Sequence, residues 1–173
     1  MNKQQYDRPL ITRHIGGHPP KVGGIGALRV IDAIDDVKVA DLLHEYGSPL
    51  FVLSEATMRS QVRKLGQAMR ARFSKVDIAW SYKTNWLASV CSVFHQEGSL
   101  AEVVSGFEYE KARALGMPGD KIIFNGPMKK RDELKRAFEE NALVNIDGLD
   151  EMMMAEEVAQ EMGIKPRVGL RVN

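Results

Sequence analysis

From residue 77 onward, the apolar positions of the sequence fall into two repeating kinds of segment. Short runs that are dense in apolar residues predict strands, and longer runs with apolar residues three or four apart predict amphipathic helices. The predicted strands are 77–83, 100–105, 122–126, 143–147 and 167–173. The predicted helices between them are 86–98, 106–116, 129–141 and 149–163.

This regular alternation predicts the fold class. Strands that alternate with helices form βαβ units around a parallel sheet, which makes the protein α/β. The repeat of about 21–24 residues favours a (β/α)8 TIM barrel over an open doubly wound sheet, and no G-x-G-x-x-G motif follows a strand. About five of the eight βα units of such a barrel are present. We therefore expect the sequence to be the N-terminal part of a longer protein.

The residues before the repeat divide into an arm and a lead-in to the barrel. Residues 1–35 are rich in turn-forming residues and predict an irregular N-terminal arm. Residues 36–173 are interpreted as the N-terminal part of the barrel. Its lead-in predicts a helix at 39–47, a strand at 49–54 and an amphipathic helix at 55–73.

Charge and composition mainly exclude classes of partner. The 24 basic and 23 acidic residues leave a formal charge of +1, which gives no reason to expect nucleic acid. No apolar run approaches the roughly 20 residues that span a membrane, and the N-terminus has no apolar core of a signal peptide. Because a single cysteine allows no disulfide framework, a reducing cytoplasm is the expected location.

The same features give little reason to expect a metal site or a reactive thiol. His14 and His18 lie in the irregular arm without cysteines nearby in the sequence, and we predict no metal site there. Cys91 falls on the apolar face of a predicted helix, which is typical of a core thiol.

The carboxyl ends of the barrel strands are where the chemistry of this fold lies. The residues at these ends are Lys83, Asn85, Glu102, Ser105, Asn125, Gly126, Asp147, Arg171 and Asn173. Lys83 is the only lysine among them. A partly desolvated lysine becomes a nucleophilic amine, which suits a Schiff base with an aldehyde such as pyridoxal phosphate (PLP). From position alone, a surface lysine just past a strand is the favoured interpretation, and Schiff-base chemistry is the alternative.

Several motifs in the sequence resemble those of the fold-type III PLP-dependent decarboxylases. The stretch WSYKTN resembles the Y-A-x-K-A-N motif of that family, which includes diaminopimelate and ornithine decarboxylases and, more distantly, alanine racemase. YGSPLFVLSEATMRSQ, EVVSGFEYEKARALGMPGDKIIFNGPMKKRDEL, IDGLDEM and PRVGLRVN are similar to further motifs of the family. The resemblance runs from about residue 37 to 173. It implies a barrel of the alanine racemase-like PLP type, with a C-terminal β domain beyond it.

The resemblance also implies roles for three residues. Lys83 matches the lysine that holds PLP as a Schiff base, and it is the expected catalytic residue. Glu102 falls where the family usually has an aspartate near the cofactor, and Arg171 matches an arginine that reaches the cofactor region. From the residues alone, the anionic partner of Arg171 could be the cofactor or a protein carboxylate. Ser105 and Glu108 in SGFE predict a helix capping box.

The function that the resemblance implies is PLP-dependent decarboxylation of diaminopimelate, lysine, ornithine or a related basic amino acid, a carbon–carbon lyase reaction. A PLP-dependent racemase and a non-catalytic PLP-binding or regulatory protein remain alternatives. We expect a homodimer in the complete protein, and no activity from residues 1–173 alone. Trp80, Ser81, Thr84 and Phe107 depart from the family motifs and leave the exact substrate open.

Overall fold

The structure is a computed structural model, and it describes residues 31–172. The chain divides into two compact units, residues 1–50 and residues 51–173. Most of the predicted arm, residues 1–35, lies outside the described residues. None of the described helices is both long and apolar enough to cross a membrane.

The described part of the first unit is a β-hairpin followed by a helix. Strand β1 (Ala33–Ile34) pairs antiparallel with β2 (Val37–Lys38), and helix α1 (Val39–Tyr46) follows directly. Asp35 and Asp36 join the two strands with φ angles of 48° and 65°. Two consecutive residues with positive φ are typical of a tight two-residue hairpin turn, for which aspartate is well suited. The sequence pattern predicted the helix and not the hairpin.

The second unit is a five-stranded parallel sheet with helices between its strands. The strands are β3 (Ala79–Ser81), β4 (Leu100–Val103), β5 (Ile122–Phe124), β6 (Leu143–Ile146) and β7 (Val168–Leu170). The helices are α2 (Glu55–Arg70), α3 (Ala88–Gln96), α4 (Gly106–Ala114), α5 (Arg131–Glu139) and α6 (Leu149–Met162), with a short 3-10 helix at Gly119–Lys121. The strands pair in chain order, all parallel. This confirms the predicted α/β class with a parallel sheet.

The two faces of the sheet have different compositions. Along β4, β5 and β6 buried residues alternate with half-buried ones, as side chains pointing to opposite faces of a strand must. The buried residues of these strands belong to the main core together with residues of α3–α6. They are Ala101, Val103, Ile122, Phe124, Val144 and Ile146. The half-buried set includes the polar residues Glu102, Asn125 and Asn145, so one face forms the core and the other carries polar groups.

Two predictions for the lead-in segment are wrong. Residues 49–54 do not form the predicted strand, and Phe51 is 97% exposed. A strand needs a neighbour to bond its backbone groups, and these residues pair with none in the described part of the chain. The following helix ends at Arg70 rather than 73, and its only buried residues are Val62 and Gly66.

An ion-pair cluster connects α2 to the end of α3. The carboxylate of Glu97 accepts hydrogen bonds from Arg59 at 2.9 Å and from Arg63 at 2.6 Å. These two guanidinium groups lower the pKa of Glu97 to about 2. The carboxylate therefore stays ionised under mildly acidic conditions, and the link between the two helices persists.

A buried ion pair joins the loops that follow β5 and β6. Lys129 is 2% exposed, and its Nζ donates to the carbonyl oxygens of Gly126 (3.0 Å) and Asn145 (2.8 Å) and to Glu151 Oε1 (2.8 Å). The other oxygen of Glu151 accepts from the backbone N–H of Asp147 at 2.8 Å. With its three donors used, the Lys129 ammonium holds two strand ends and the first turn of α6 together.

A buried tyrosine–histidine contact lies on the core side of the sheet. The Tyr82 hydroxyl is 2.8 Å from His95 Nε2, and His95 Nδ1 is 3.0 Å from the carbonyl oxygen of Ser99. A carbonyl can only accept, so Nδ1 carries the proton and Nε2 accepts from the tyrosine. Burial lowers the pKa of His95, while the hydrogen bond to Ser99 acts in the opposite direction.

Replacing Lys129 should strongly destabilise the protein. We expect Lys129→Met to lower the free energy of unfolding by about 3–5 kcal/mol, because Glu151 would remain buried without its counter-ion. Urea denaturation measures this change. The control is Lys135→Met on the exposed face of α5, which should change stability by less than about 0.5 kcal/mol. Equal effects of the two substitutions would contradict the structural role of Lys129.

Acid should weaken the fold through His95. The unfolded chain binds a proton at this histidine near pH 6.5, whereas the folded protein resists protonation. The stabilising contribution is therefore complete above pH 6.5 and declines as the pH falls toward the lowered pKa. Unfolding free energies measured between pH 7.5 and 5 should fall more steeply for the wild type than for His95→Gln. Parallel profiles would show that this group is not responsible.

Candidate functional site

The carboxyl ends of the strands in the second unit surround a cleft of about 480 Å³. The residues that line it are Lys83, Glu102, Val104, Asn125, Gly126, Pro127 and Arg171. The three residues singled out from the sequence, Lys83, Glu102 and Arg171, thus lie around one cavity. They come from the ends of β3, β4 and β7, which are far apart in the sequence.

Lys83 lies in a turn that follows β3 rather than inside the strand. The strand ends at Ser81, and the backbone N–H of Thr84 closes the turn by donating to the Ser81 carbonyl at 3.1 Å. The Trp80 indole N–H donates to the carbonyl of Asn85 at 3.0 Å and ties the turn to the strand. These contacts fix the backbone from which the lysine side chain projects.

The surroundings of Lys83 differ from those predicted. Tyr82 is fully buried in the core, and Lys83, the next residue along the turn, is exposed. The predicted desolvation of the amine is therefore not provided by residues 31–172. The reason is geometric, since the turn carries Lys83 past the edge of the sheet and onto the cleft wall. What the structure does provide is an accessible primary amine.

Glu102 is the first member of a hydrogen-bonded row of side chains on the polar face of the sheet. Its Oε1 accepts from Asn125 Nδ2 at 2.7 Å, and Asn125 Oδ1 in turn accepts from Asn145 Nδ2. The three residues lie on or next to the adjacent strands β4, β5 and β6. Asn145 is not among the residues singled out from the sequence, although a lone asparagine in the apolar run LVNI was a signal for it.

Arg171 follows β7 and pairs with Asp147, which follows β6. Its Nη1 lies 2.9 Å from Asp147 Oδ1, and its side chain is 52% exposed. A protein carboxylate was one of the two partners that the sequence left open, and Asp147 supplies it. Half of the guanidinium side chain remains accessible, and it lines the cleft.

Two glycines allow close approaches around the cleft. Gly126 has a φ of 101°, and a Cβ atom there would lie 2.4 Å from the carbonyl oxygen of Val104. A Cβ on Gly169 of β7 would lie 2.2 Å from Asn145 Oδ1. Both contacts are far shorter than carbon–oxygen van der Waals contacts, so larger side chains would displace the cleft wall or the asparagine row.

Other candidate residues have structural roles or remain undescribed. Ser105 caps α4 by accepting from the Glu108 N–H at 3.3 Å, as predicted, while the Glu108 carboxylate bonds the N–H of Val104. Cys91 is a buried free thiol. No group of three or more potential metal ligands comes together within residues 31–172. His14 and His18, like Asn173, lie outside the described residues.

Comparisons with known proteins connect this geometry to a family. The family described as "Pyridoxal-dependent decarboxylase, pyridoxal binding domain" matches residues 59–173. A diaminopimelate decarboxylase of Methanothermobacter thermautotrophicus is 31% identical over 144 residues, which are 83% of this chain and 32% of that protein. A diaminopimelate decarboxylase of Bacillus subtilis is 29% identical over 88% of this chain and 32% of its own length.

Solved structures give the same connection. A crystal structure of diaminopimelate decarboxylase from M. jannaschii superposes with a TM-score of 0.75 at 30% identity, covering 82% of this chain and 34% of that one. A second structure of that enzyme, in complex with L-lysine, gives 0.72 at 29% identity over 80% and 33%. The chain spans about a third of the length of these relatives. The family match extends over more than half of the chain, and the protein belongs to the pyridoxal-dependent decarboxylase family, matched through its pyridoxal-binding domain.

Proposed function

We propose that the chain is the pyridoxal-binding part of a PLP-dependent amino-acid decarboxylase, in which Lys83 forms the covalent bond to the cofactor. The observation that carries this proposal is the cleft that Lys83, Glu102 and Arg171 line together, in a chain of the pyridoxal-dependent decarboxylase family. Lys83 is the only lysine lining the cleft among the described residues. An accessible amine beside a carboxylate and a guanidinium is a suitable donor set for an anionic aldehyde.

The same proposal includes the architecture around the cleft. Residues 36–173 form the N-terminal part of a (β/α)8 barrel, of which β3–β7 are five strands. Their parallel pairing in chain order supports this assignment, since successive strands of such a barrel are neighbours. The position of the cleft at the carboxyl ends of the strands also agrees with the location of active sites in barrel enzymes.

The residues of the cleft fit PLP in size and chemistry. A volume of about 480 Å³ is within the range of small-molecule sites. The Ser81 hydroxyl oxygen, in the strand that leads to Lys83, is buried without a hydrogen-bond partner among the described residues. Ser81 does not line the cleft, but it pairs with Glu102 in the register of β3 and β4, so its side chain lies on the face of the sheet that carries Glu102. At Gly126 the backbone itself forms the wall, because a side chain there would meet Val104.

Each lining residue has a task that follows from its position. Lys83 Nζ would hold the cofactor through its aldehyde carbon, with the aldehyde oxygen leaving as water, and Arg171 would offer a guanidinium to an anionic group of cofactor or substrate. Glu102 presents a carboxylate oxygen to a hydrogen-bond donor. When bound, PLP supplies the ring that accepts the electron pair left by departing CO2. The polypeptide supplies the position and orientation of the reacting groups.

The substrate is proposed to be a basic or diamino acid: diaminopimelate, lysine, ornithine or a relative of these. The support is the similarity to enzymes called diaminopimelate decarboxylases and to the structure of one in complex with L-lysine. A homodimer and a cytoplasmic location are part of the same proposal. The dimer rests on the family resemblance, and the location rests on the single, buried cysteine.

Lys83→Ala should abolish covalent attachment of PLP. We expect borohydride treatment of the full-length wild type with PLP to leave one cofactor mass on the peptide that contains residue 83, because an amine in the cleft reacts with the aldehyde. Mass spectrometry measures the adduct. Lys121→Ala, at an exposed lysine before β5, is the control and should keep it. Adduct formation by Lys83→Ala at the wild-type yield would refute the assignment.

Arg171→Ala should weaken ligand binding more than folding. In its ion pair with Asp147 the Arg171 side chain is 52% exposed and that of Asp147 20%, and pairs open to solvent contribute about 1 kcal/mol or less to stability. Loss of a charged hydrogen bond to a ligand should instead weaken PLP binding, or lower kcat/KM for the amino acid, by about tenfold or more.

Asp147→Asn is the matched control for this prediction. It removes the same ion pair and keeps the guanidinium in the cleft. We expect it to lower the melting temperature as much as Arg171→Ala does, with a smaller effect on binding and turnover. A large loss of melting temperature in Arg171→Ala, with unchanged PLP affinity and turnover, would identify a purely structural ion pair.

A further inference from the structure

We propose that Asn125 and Asn145 are positioning residues that orient the Glu102 carboxylate toward the ligand of the cleft. This inference rests on the proposed function for the identity of the ligand. It concerns the row of three side chains in which Asn145 donates to Asn125 and Asn125 donates to Glu102. Glu102 and Asn125 line the cleft directly, whereas Asn145 supports the row from the next strand.

The direction of the row is fixed by its last member. An ionised carboxylate can only accept hydrogen bonds, so Asn125 must turn its NH2 group toward Glu102. Its carbonyl oxygen then faces the other way and must accept from Asn145. Each amide orientation follows from the carboxylate, and each amide in turn limits the rotation of its neighbour.

The other end of the row is fixed by the backbone. The carbonyl oxygen of Asn145 accepts from the buried ammonium of Lys129 at 2.8 Å. Asn145 pairs with Gly169 in the register of β6 and β7, and the absence of a Cβ at Gly169 leaves room for Asn145 Oδ1. The buried Lys129 thus holds the backbone of Asn145, and Gly169 leaves space for the Asn145 side chain.

The row leaves one oxygen of Glu102 for the ligand. Oε1 is bonded to Asn125, and Oε2 has no hydrogen-bond partner among residues 31–172. Glu102 is longer by one methylene than the aspartate that the family resemblance leads one to expect. One more side-chain torsion must therefore be restrained to hold its carboxylate in one position. The amide of Asn125 supplies that restraint. Glu102 therefore presents one oxygen at a fixed position to a hydrogen-bond donor of the bound cofactor or substrate.

The test uses the full-length protein and equilibrium binding of PLP, followed by absorbance, with the melting temperature measured in parallel. Glu102→Gln should weaken binding or shift the pH profile of the bound-cofactor absorbance. Asn125→Leu should cause a change in the same direction, about tenfold in affinity, because the carboxylate loses its restraint. Asn125→His keeps an N–H donor and should therefore retain most of the wild-type affinity for PLP.

A double mutant separates positioning from general damage to the fold. If Asn125 acts through Glu102, Asn125→Leu should add nothing to the effect of Glu102→Gln on binding or on the pH profile. Gly169→Ala should reproduce the Asn125→Leu effect by displacing Asn145, while Gly148→Ala, where a Cβ meets nothing within 4 Å, should be neutral. Additive effects of Asn125→Leu and Glu102→Gln would overturn the proposal.

The outcome also separates this inference from the proposed function. Wild-type protein that binds no PLP would overturn both. Wild-type protein that binds PLP, with Asn125→Leu and Gly169→Ala both unchanged in affinity and pH profile, would overturn only the role of the asparagines. If Asn125→Leu also lowers the melting temperature, Asn125→His provides the comparison, because it retains the N–H donor. This comparison decides whether the loss of binding follows from the missing hydrogen bond.

Discussion

The geometry of the cleft depends on one buried cation. Lys129 is removed from water, and its ammonium is stabilised only because two carbonyl oxygens and the Glu151 carboxylate surround it. Those partners belong to the loop after β5, the end of β6 and the first turn of α6. A charge that is costly to bury therefore requires three separate segments to keep fixed positions, and one of them, the loop after β5, lines the cleft with Gly126 and Pro127.

Side chains alternate between the two faces along each strand, and this alternation places polar residues of adjacent strands on the same face of the sheet. In β4, β5 and β6 every second residue packs into the helix-covered core, so the residues between them must share the opposite face. The sequence uses that face for Glu102, Asn125 and Asn145. Core packing on one side and polar contacts on the other are thus set by the same register, and a shift of one residue would exchange them.

Much of the site could be predicted because it depends on local pattern. Strand ends can be located from periodicity, and parallel strands bring their carboxyl ends together, which selected nine residues that include Lys83, Glu102 and Arg171. The family resemblance then singled out these three. The partners of charged side chains depend instead on contacts between distant segments. Examples are Asp147, which pairs with Arg171, and Glu151, which pairs with Lys129. Burial of Lys83 and a strand at 49–54 were predicted wrongly because burial and pairing depend on neighbours, which a local pattern does not contain.

Gly169 couples β7 to the hydrogen-bonded row on the polar face of the sheet. A Cβ at this position would lie 2.2 Å from Asn145 Oδ1, so a larger residue requires the Asn145 side chain to leave its place in the row or to be replaced. Anyone who redesigns this face of the sheet would therefore have to treat the two positions as one unit. A library that varies 145 alone samples only side chains that fit beside a glycine, and one that varies 169 alone mainly samples proteins with a displaced Asn145.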